Sequence, residues 1–441
     1  MPDRLLYTFY GDDFTGSTDV LEALASNGVE TVLFLAAPTR QQLAAFPQAR
    51  AIGIAGSSRS QTPTWMDRHL PPIFRSLKEL NAPVVHYKTC STFDSAPHVG
   101  SIGHALDLGR ELFQSEYVPV VVAAPHLGRY VLFSNLFAEA GGQIYRIDQH
   151  PTMRNHPVTP MQQADLRRHL AAQTSISIGS VDIRALTADR VQQALAAQLN
   201  VGAEAIVFDG VDKKTSAQTG YLLWCQAEKM QSFVVGSSGL TQALVHEWRT
   251  RKLIASDSAP KISPPPQTPA KPIIVLSGSC SPATAAQIEW ALAHGFAGIA
   301  LDVADLISGE AGVQQYLQQA TDALRRSQSV ILYSALGTPS GEAHGEVLGI
   351  RMGQLLRELL LASGVRRVVI AGGDTSSHVT AQLGLHALTF AAPLQPGVPL
   401  CRAYSVEPAL DGLELALKGG QIGPPDFFDQ VLRHDYANVT M

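Results

Sequence analysis

Residues Leu5 to Thr18 read LLYTFYGDDFTGST. An apolar run stops at Gly11, two adjacent carboxylates follow at Asp12 and Asp13, and Thr15, Gly16, Ser17 and Thr18 lead into a helical pattern. This reads as a first strand whose C-terminal end carries paired acids beside a helix N-terminus. Open α/β sheets bind ligands in the crevice outside the carboxyl ends of their strands. Gly16 lets backbone approach a ligand closely, and the N–H groups that open a helix favour an anion. The plainer reading is an Asp-rich N-cap closing an ordinary βα loop, and the stretch alone does not separate the two.

Outward from this stretch, strand-like runs recur between helical patterns. Leu5–Tyr10, Thr31–Leu35, Ala51–Ala55, Val84–Lys88, Val118–Ala124, Ala205–Asp209 and Phe233–Gly236 predict strands in the first half. Ile273–Leu276, Gly298–Leu301, Val330–Tyr333, Arg367–Ala371 and Leu388–Ala391 predict them in the second. Several are near-continuous apolar runs, as strands buried on both faces require. Ser17 to Asn27 predicts a helix with Val20, Leu21 and Leu24 on one face and an Asn27-Gly28 exit. Ser281-Pro282 opens another, with serine as cap and proline in the first turn. Alternation of this kind predicts an α/β protein of parallel sheets with helices on both faces.

At 441 residues the chain suits two domains. The segment Ser256–Pro272, SDSAPKISPPPQTPAKP, is dominated by proline and holds neither helix nor central strand. It predicts a linker between a domain of residues 1–255 and one of residues 273–441. The chain is 45% hydrophobic and 16% charged, which fits a globular enzyme and excludes a disordered chain. Its 33 Lys and Arg against 38 Asp and Glu give a net charge of −5 and no footprint for nucleic acid. Cys90, Cys225, Cys280 and Cys401 are far apart and form no metal-ligand spacing, which predicts reduced thiols in a cytoplasmic protein. No apolar run is long enough to span a bilayer, and the N-terminus does not read as a signal peptide. A homo-oligomer is compatible with the sequence.

The candidate sites cluster at strand ends. In VVHYKTCSTFDS (Val84–Ser95), Lys88 is a natural anchor for a carboxylate or phosphate, and Ser91, Thr92 and Asp94 can hold sugar hydroxyls. In AIGIAGSSRS (Ala51–Ser60), Arg59 suits a planar carboxylate, which it can bind through two parallel hydrogen bonds. His126 and Arg129 follow a third strand in AAPHLGR. Each taken alone is also an ordinary loop cation beside capping residues. Basic groups at three strand ends point to a small acidic substrate, with Asp12 and Asp13 as metal ligand, general base or hydroxyl acceptor.

The second half carries glycine-rich turns instead. VVIAGG (Val368–Gly373) is followed by Asp374, Thr375, Ser376, Ser377 and His378, the sequence of a phosphate cradle at a helix start. Ser277, Gly278 and Ser279 in LSGSCS repeat the device after the domain's first strand, and LKGGQIG, with Gly420, is a third such turn. Neither GxxxxGK[ST] nor a strand-borne GxGxxG is present. Three close backbone approaches in one domain favour a nucleotide. His378 is read either as facing the phosphates or as a packing residue of its helix.

Taken in order, GDDFTGSTD, YKTCSTFDS, SGSCS and AGGDTSS resemble the four-carbon acid sugar kinase family over essentially the whole chain. The resemblance implies an N-terminal domain that binds the acid sugar, a C-terminal domain that binds ATP, a cleft between them, and Mg²⁺ assisting phosphoryl transfer. It puts Asp12, Asp13, Arg59, Lys88 and Asp94 in the sugar domain and Ser277, Ser279, Gly372, Gly373, Asp374, Thr375 and Gly420 in the ATP domain. CSTFDS resembles members acting on 3-oxo acids, and FYGDDFTGSTD resembles those that phosphorylate 3-oxo-isoapionate rather than 3-oxo-tetronate. KGGQIG departs from the KSGNFG of many members, at the turn that carries Gly420. By position, Asp12 at the strand end is the candidate that orients or deprotonates the hydroxyl, Asp13, one step into the turn, supports Mg²⁺ or the loop, since adjacent side chains diverge on an extended backbone, and Asp94 is the reserve.

Other classes fit less well. A haloacid-dehalogenase-like phosphatase needs its two acids two residues apart, whereas these are adjacent. A ribokinase-like kinase shares the glycine-aspartate turn but places its site in a single main domain. A solute-binding protein explains a cleft but not the ATP-type turns. A threonate or erythronate kinase is the nearest alternative.

Overall fold

The computed structural model describes residues 5–156, 158–186, 190–255, 272–308, 310–336 and 345–434. The proline-rich segment lies outside these residues except for Pro272. The strands are β1 (Tyr7–Gly11), β2 (Thr31–Phe34), β3 (Ala51–Ala55), β4 (Val84–Lys88), β5 (Val118–Val121), β6 (Arg129–Leu132), β7 (Asn135–Ala140), β8 (Gln143–Arg146), β9 (Ile178–Val181), β10 (Ala205–Phe208) and β11 (Ser232–Gly236). They continue as β12 (Ile274–Ser277), β13 (Ala297–Ala300), β14 (Val330–Tyr333), β15 (Arg367–Ala371), β16 (Leu385–Gln395), β17 (Val398–Ser405) and β18 (Glu414–Lys418). By packing, the chain forms two compact units. The first comprises the N-terminal half without Asp13–Glu22 and Val32–Pro38; the second comprises those two segments and the C-terminal half.

In the first unit the strand order is β3-β1-β4-β11-β5-β10-β9, and every pairing is parallel. All residues of β1, β3, β4 and β11 are buried, which is why these strands read as unbroken runs without polar alternation. β3 and β4, the next strands of this unit along the chain, flank β1 on opposite sides, so β1 is the switch point of the sheet. The helix Pro63–Glu79 is capped by Thr62 and buries Met66, Leu70, Phe74 and Leu77, a three-to-four-residue stripe set against Tyr10 and Tyr87. A small antiparallel sheet, β6-β7-β8, has no counterpart in the sequence reading. Its first turn holds Phe133 and Ser134 at φ 48° and 63°, a conformation usually left to glycine or asparagine. The Asp209 carboxylate accepts from both amides at 2.6 and 2.8 Å and secures it.

In the second unit the order is β13-β14-β12-β15-β18-β17-β16-β2. The first five strands are parallel, but β17 runs antiparallel to both neighbours and β16 runs antiparallel to β2. The sheet is mostly parallel, with an antiparallel end made by β17, β16 and β2. The apolar run of β2 does not reveal its direction or its partner, and it joins this sheet through Leu33 and Phe34. The helix predicted from Ser17 starts at Phe14, because Asp13 serves as its cap. Among the described residues no helix is long and apolar enough to cross a membrane.

The strands that carry the glycine turns are fastened at their other end. Arg367 opens β15 opposite Glu414 of β18, its Nε donates to Glu414 Oε2 at 2.7 Å, and its Nη1 donates to Val431 O at 2.8 Å. Both side chains are buried. Removing one partner of a buried ion pair leaves the other charge uncompensated, at a cost of about 3–5 kcal/mol. Glu414→Ala is expected to lower unfolding stability by about that amount in urea titrations. The double variant Arg367→Met, Glu414→Leu is expected to lose less than Glu414→Ala alone.

Candidate functional site

The predicted residues assemble into two clusters, each at the carboxyl edge of one unit's sheet. In the first unit the backbone draws three strand exits together. Asp12 N–H donates to Lys88 O at 2.9 Å and Arg59 N–H donates to Asp12 O at 3.1 Å, so β1, β3 and β4 deliver Asp12, Arg59 and Lys88 to one edge. Asp12, Asp13, Lys88 and Asp94 are all buried.

The two adjacent acids have different surroundings. Asp13 Oδ1 accepts from Gly16 N at 2.6 Å and Oδ2 from Thr15 Oγ1 at 3.2 Å. The cap reading of the opening motif therefore describes Asp13. Asp12 sits beside two buried phenols. Burial and then the Asp12 charge push the Tyr87 hydroxyl well above its ordinary range, and Tyr10 rises to about 12 through burial with the same charge contributing. Ser58, a buried residue that the sequence reading passed over, meets Tyr87 Oη at 2.9 Å.

Asp94 is bonded through both carboxylate oxygens. Arg59 Nη2 donates to both its oxygens at 3.0 and 2.9 Å, Thr92 Oγ1 to Oδ1 at 2.5 Å and Thr159 Oγ1 to Oδ2 at 2.9 Å. Burial alone would raise this carboxyl. The Arg59 charge and the Thr92 hydrogen bond outweigh it and bring it to about 2. Phe93, between Thr92 and Asp94, is buried at φ 55°, a strained conformation of the kind that recurs in ligand loops. Ser91 lies half-buried in the same loop. Arg129 does not join the cluster, because its Nη1 donates to Leu127 O, Gly128 O and Glu139 O at 2.9, 3.2 and 3.4 Å and braces a hairpin. His126 is exposed.

In the second unit the three glycine turns lie against one another. Gly278 N–H donates to Ala371 O at 3.2 Å and Gly372 N–H to Lys418 O at 2.8 Å, extending the ladder past β12, β15 and β18. A methyl group at Gly278 would meet Thr375 Oγ1 at 2.4 Å, and one at Gly420 would meet Ser279 Oγ at 2.7 Å. Gly372 has φ 119°, which favours glycine, and a Cβ there would lie 2.9 Å from the same Thr375 oxygen. Ser277, Gly278, Ser279, Gly372, Thr375 and Gly420 thus form one backbone-lined cradle. Gly373 and Asp374 open the helix Gly373–Gln382 beside it. His378 packs against the helix Gly345–Ser363, where a Cβ on Gly349 would meet its own Cβ at 2.5 Å, so its packing reading holds.

Three residues missed in the sequence hold the third turn. Lys418 Nζ donates to Thr284 Oγ1 and Gly419 O at 3.0 Å and to Gly420 O at 3.3 Å. Burial lowers this ammonium to about 7. Thr284 Oγ1 donates to Gly420 O at 2.8 Å, and Gln287 Nε2 reaches the carbonyls of Ile422, Gly423 and Pro424 at 2.9–3.0 Å. The lysine inside the quoted LKGGQIG motif was the available signal; nothing local marks Thr284 or Gln287. The four cysteines are free thiols. Among the described residues no three His, Cys, Asp or Glu side chains gather as a metal site.

Two family models match the chain in order. Residues 7–244 match a family described as a sugar-binding N-terminal domain, and residues 274–428 match a nucleotide-binding C-terminal domain. A 3-oxo-isoapionate kinase of Paraburkholderia graminis is 45% identical, with 98% of this chain and 94% of that protein covered. A 3-oxo-tetronate kinase of Pseudomonas savastanoi pv. phaseolicola is 31% identical over 98% of this chain and 97% of its own. Among solved structures, a Salmonella typhimurium LT2 protein designated a tRNA synthase superposes with a TM-score of 0.76 at 26% identity, covering 97% of this chain and 99% of that one. A Haemophilus influenzae protein from a family of unknown function gives 0.69 at 27%, covering 96% and 98%. With both domain matches in order and kinase relatives aligned along nearly its full length, the chain belongs to the four-carbon acid sugar kinase family.

Proposed function

We propose that this protein is an ATP-dependent, Mg²⁺-assisted kinase that phosphorylates a hydroxyl of a small acid sugar in the cytoplasm, with residues 1–255 holding the sugar and residues 273–441 the nucleotide. The observation that carries the reading is the convergence of Gly278, Gly372 and Gly420 with Ser279 and Thr375 in the second unit. Phosphates need several backbone approaches at once, and a cradle in which added methyl groups would collide supplies them. The 45% relative favours 3-oxo-isoapionate as substrate, with 3-oxo-tetronate as the second choice.

Mg²⁺ in phosphoryl-transfer sites is bound by one or two carboxylates, phosphate oxygens and water, so a cluster of three protein ligands is not required. Bound there, it neutralises charge on the phosphates. Of the acids in the first cluster, Asp12 is the proposed base. Asp13 is occupied as a helix cap, and Asp94, held near 2 by Arg59 and Thr92, is a poor proton acceptor. As the sugar oxygen bonds to the γ-phosphorus and the bond to ADP breaks, the hydroxyl proton passes to Asp12. Lys88 and Arg59 supply positive charge for the sugar carboxylate, and Arg59 also fastens the Ser91–Asp94 loop through its pair with Asp94.

The reading is tested by ADP release with a panel of 3-oxo and reduced four-carbon and branched acid sugars. Asp12→Asn is expected to lower kcat by roughly 10²-fold or more with KM for ATP unchanged; near-normal turnover would remove Asp12 as the base. Gly278→Ala is expected to raise KM for ATP several-fold and leave KM for the sugar unchanged. The opposite pattern would reverse the assignment of the two halves.

A further inference from the structure

β11 is the last strand of the first unit along the chain, yet it lies between β4 and β5, with Gly236 in register with Lys88. Its exit reads Gly236, Ser237, Ser238, Gly239 and opens the helix Ser238–Thr250. None of these residues belongs to the motifs that identified the family. A methyl group on Gly236 would meet Val121 O at 2.0 Å and one on Gly239 would meet Ala123 O at 1.8 Å, so this turn is pressed onto the exit of β5.

The two serines differ. Ser237 Oγ donates to Val122 O at 2.8 Å and accepts from Gly239 N at 3.1 Å, as a capping residue does. Ser238 Oγ is wholly buried and has no hydrogen-bond partner among the described residues. Thr89 Oγ1, at the neighbouring exit of β4, is in the same condition, while its N–H donates to Gly236 O at 2.7 Å. Buried hydroxyls without partners are uncommon, and each calls for an explanation.

Lys88 leaves β4 on the face that this helix covers. Side chains alternate along a strand, so Lys88 shares its face with His86. His86 Nε2 donates to Gly236 O at 3.0 Å, and its Nδ1 accepts from Tyr7 Oη. Tyr7 Oη in turn meets Thr241 Oγ1 of the helix at 3.0 Å. Burial pushes His86 down to about 3, with the Lys88 charge contributing, so the imidazole stays neutral in this chain of bonds. The network fixes the helix start relative to β1 and β4.

We infer that Ser238, at the N-terminus of the helix Ser238–Thr250, forms with Lys88 the seat for the carboxylate of the acid sugar. The hydroxyl donates to one carboxylate oxygen, and the helix end and the ammonium supply the positive field. The inference rests on the acid-sugar reading of the first unit, and binding tests it apart from turnover. Wild-type protein and Ser238→Ala are titrated calorimetrically, without nucleotide, with threonate and with threitol, which has CH₂OH in place of the carboxylate.

Wild type is expected to bind threonate more tightly than threitol. Ser238→Ala is expected to weaken threonate by about tenfold or more and to leave threitol unchanged. Its thermal midpoint is expected to stay at or above that of wild type, since no protein partner is lost. Wild type that does not prefer threonate, or a folded Ser238→Ala that binds threonate like wild type, overturns the seat. Failure of the kinase reading shows separately, as absence of acid-sugar-dependent ADP release by the wild type.

Discussion

In the second unit the hydrogen-bond ladder does not stop where the strands stop. Gly278 N–H reaches Ala371 O and Gly372 N–H reaches Lys418 O, so three strand exits remain bonded to one another beyond the sheet. That constraint brings three loops close enough that a Cβ at Gly278 or Gly420 would meet the side-chain hydroxyl of Thr375 or Ser279. Closeness alone would pack the loops into an inert turn. What makes them a cradle is that the side chains between them are short hydroxyls, Ser279 and Thr375, set where backbone amides begin new helices. Such amides bind anions without reorganisation, which is how phosphoryl transfer obtains most of its stabilisation.

The same constraint requires a clamp on the far side of the third turn. β18 ends in Lys418, whose ammonium is buried among Thr284 Oγ1 and the carbonyls of Gly419 and Gly420. Burying a cation is unfavourable and lowers its proton affinity, as the fall to about 7 indicates. Three acceptors offset part of that cost and point the turn's carbonyls back at the lysine. Gln287 does the same for the next three carbonyls with a neutral amide. With those carbonyls bonded on the clamp side, the turn keeps one conformation against Ser279. Arg367 and Glu414 fix β15 and β18 at their opposite ends, so the cradle is braced at both ends of two adjacent strands.

How much of this is legible in sequence follows from whether a feature is local. The buried strands appear as apolar runs because a central parallel strand has no solvent face, and each predicted run overlaps an observed strand. The glycine turns are legible because close approach selects glycine wherever it occurs. Partnership is not local. TVLF could join either sheet in either direction, and it lies antiparallel to β16. The short strands β6 to β8 carry half-exposed residues and so leave no apolar run to read. GSSG was visible as the end of a strand, but no residue in it says that this late strand inserts beside Lys88. Thr159, which completes the bonding of Asp94, lies 65 positions away in a segment without motif or periodicity.

The acids of the opening motif and of the loop after β4 show how environment distinguishes residues of one type. Asp12, Asp13 and Asp94 are chemically alike and all buried. Asp13 accepts a helix amide and a hydroxyl, which fixes its position at the helix start. Asp94 accepts from a guanidinium and two threonines, so its negative charge is so well stabilised that it has little tendency to take a proton. Asp12 lies beside Tyr10 and Tyr87, whose phenols burial raises first and the Asp12 charge raises further. Bonding partners thus distinguish three acids of one residue type, and Asp12 stands at the end of β1, the switch point of the first unit's sheet.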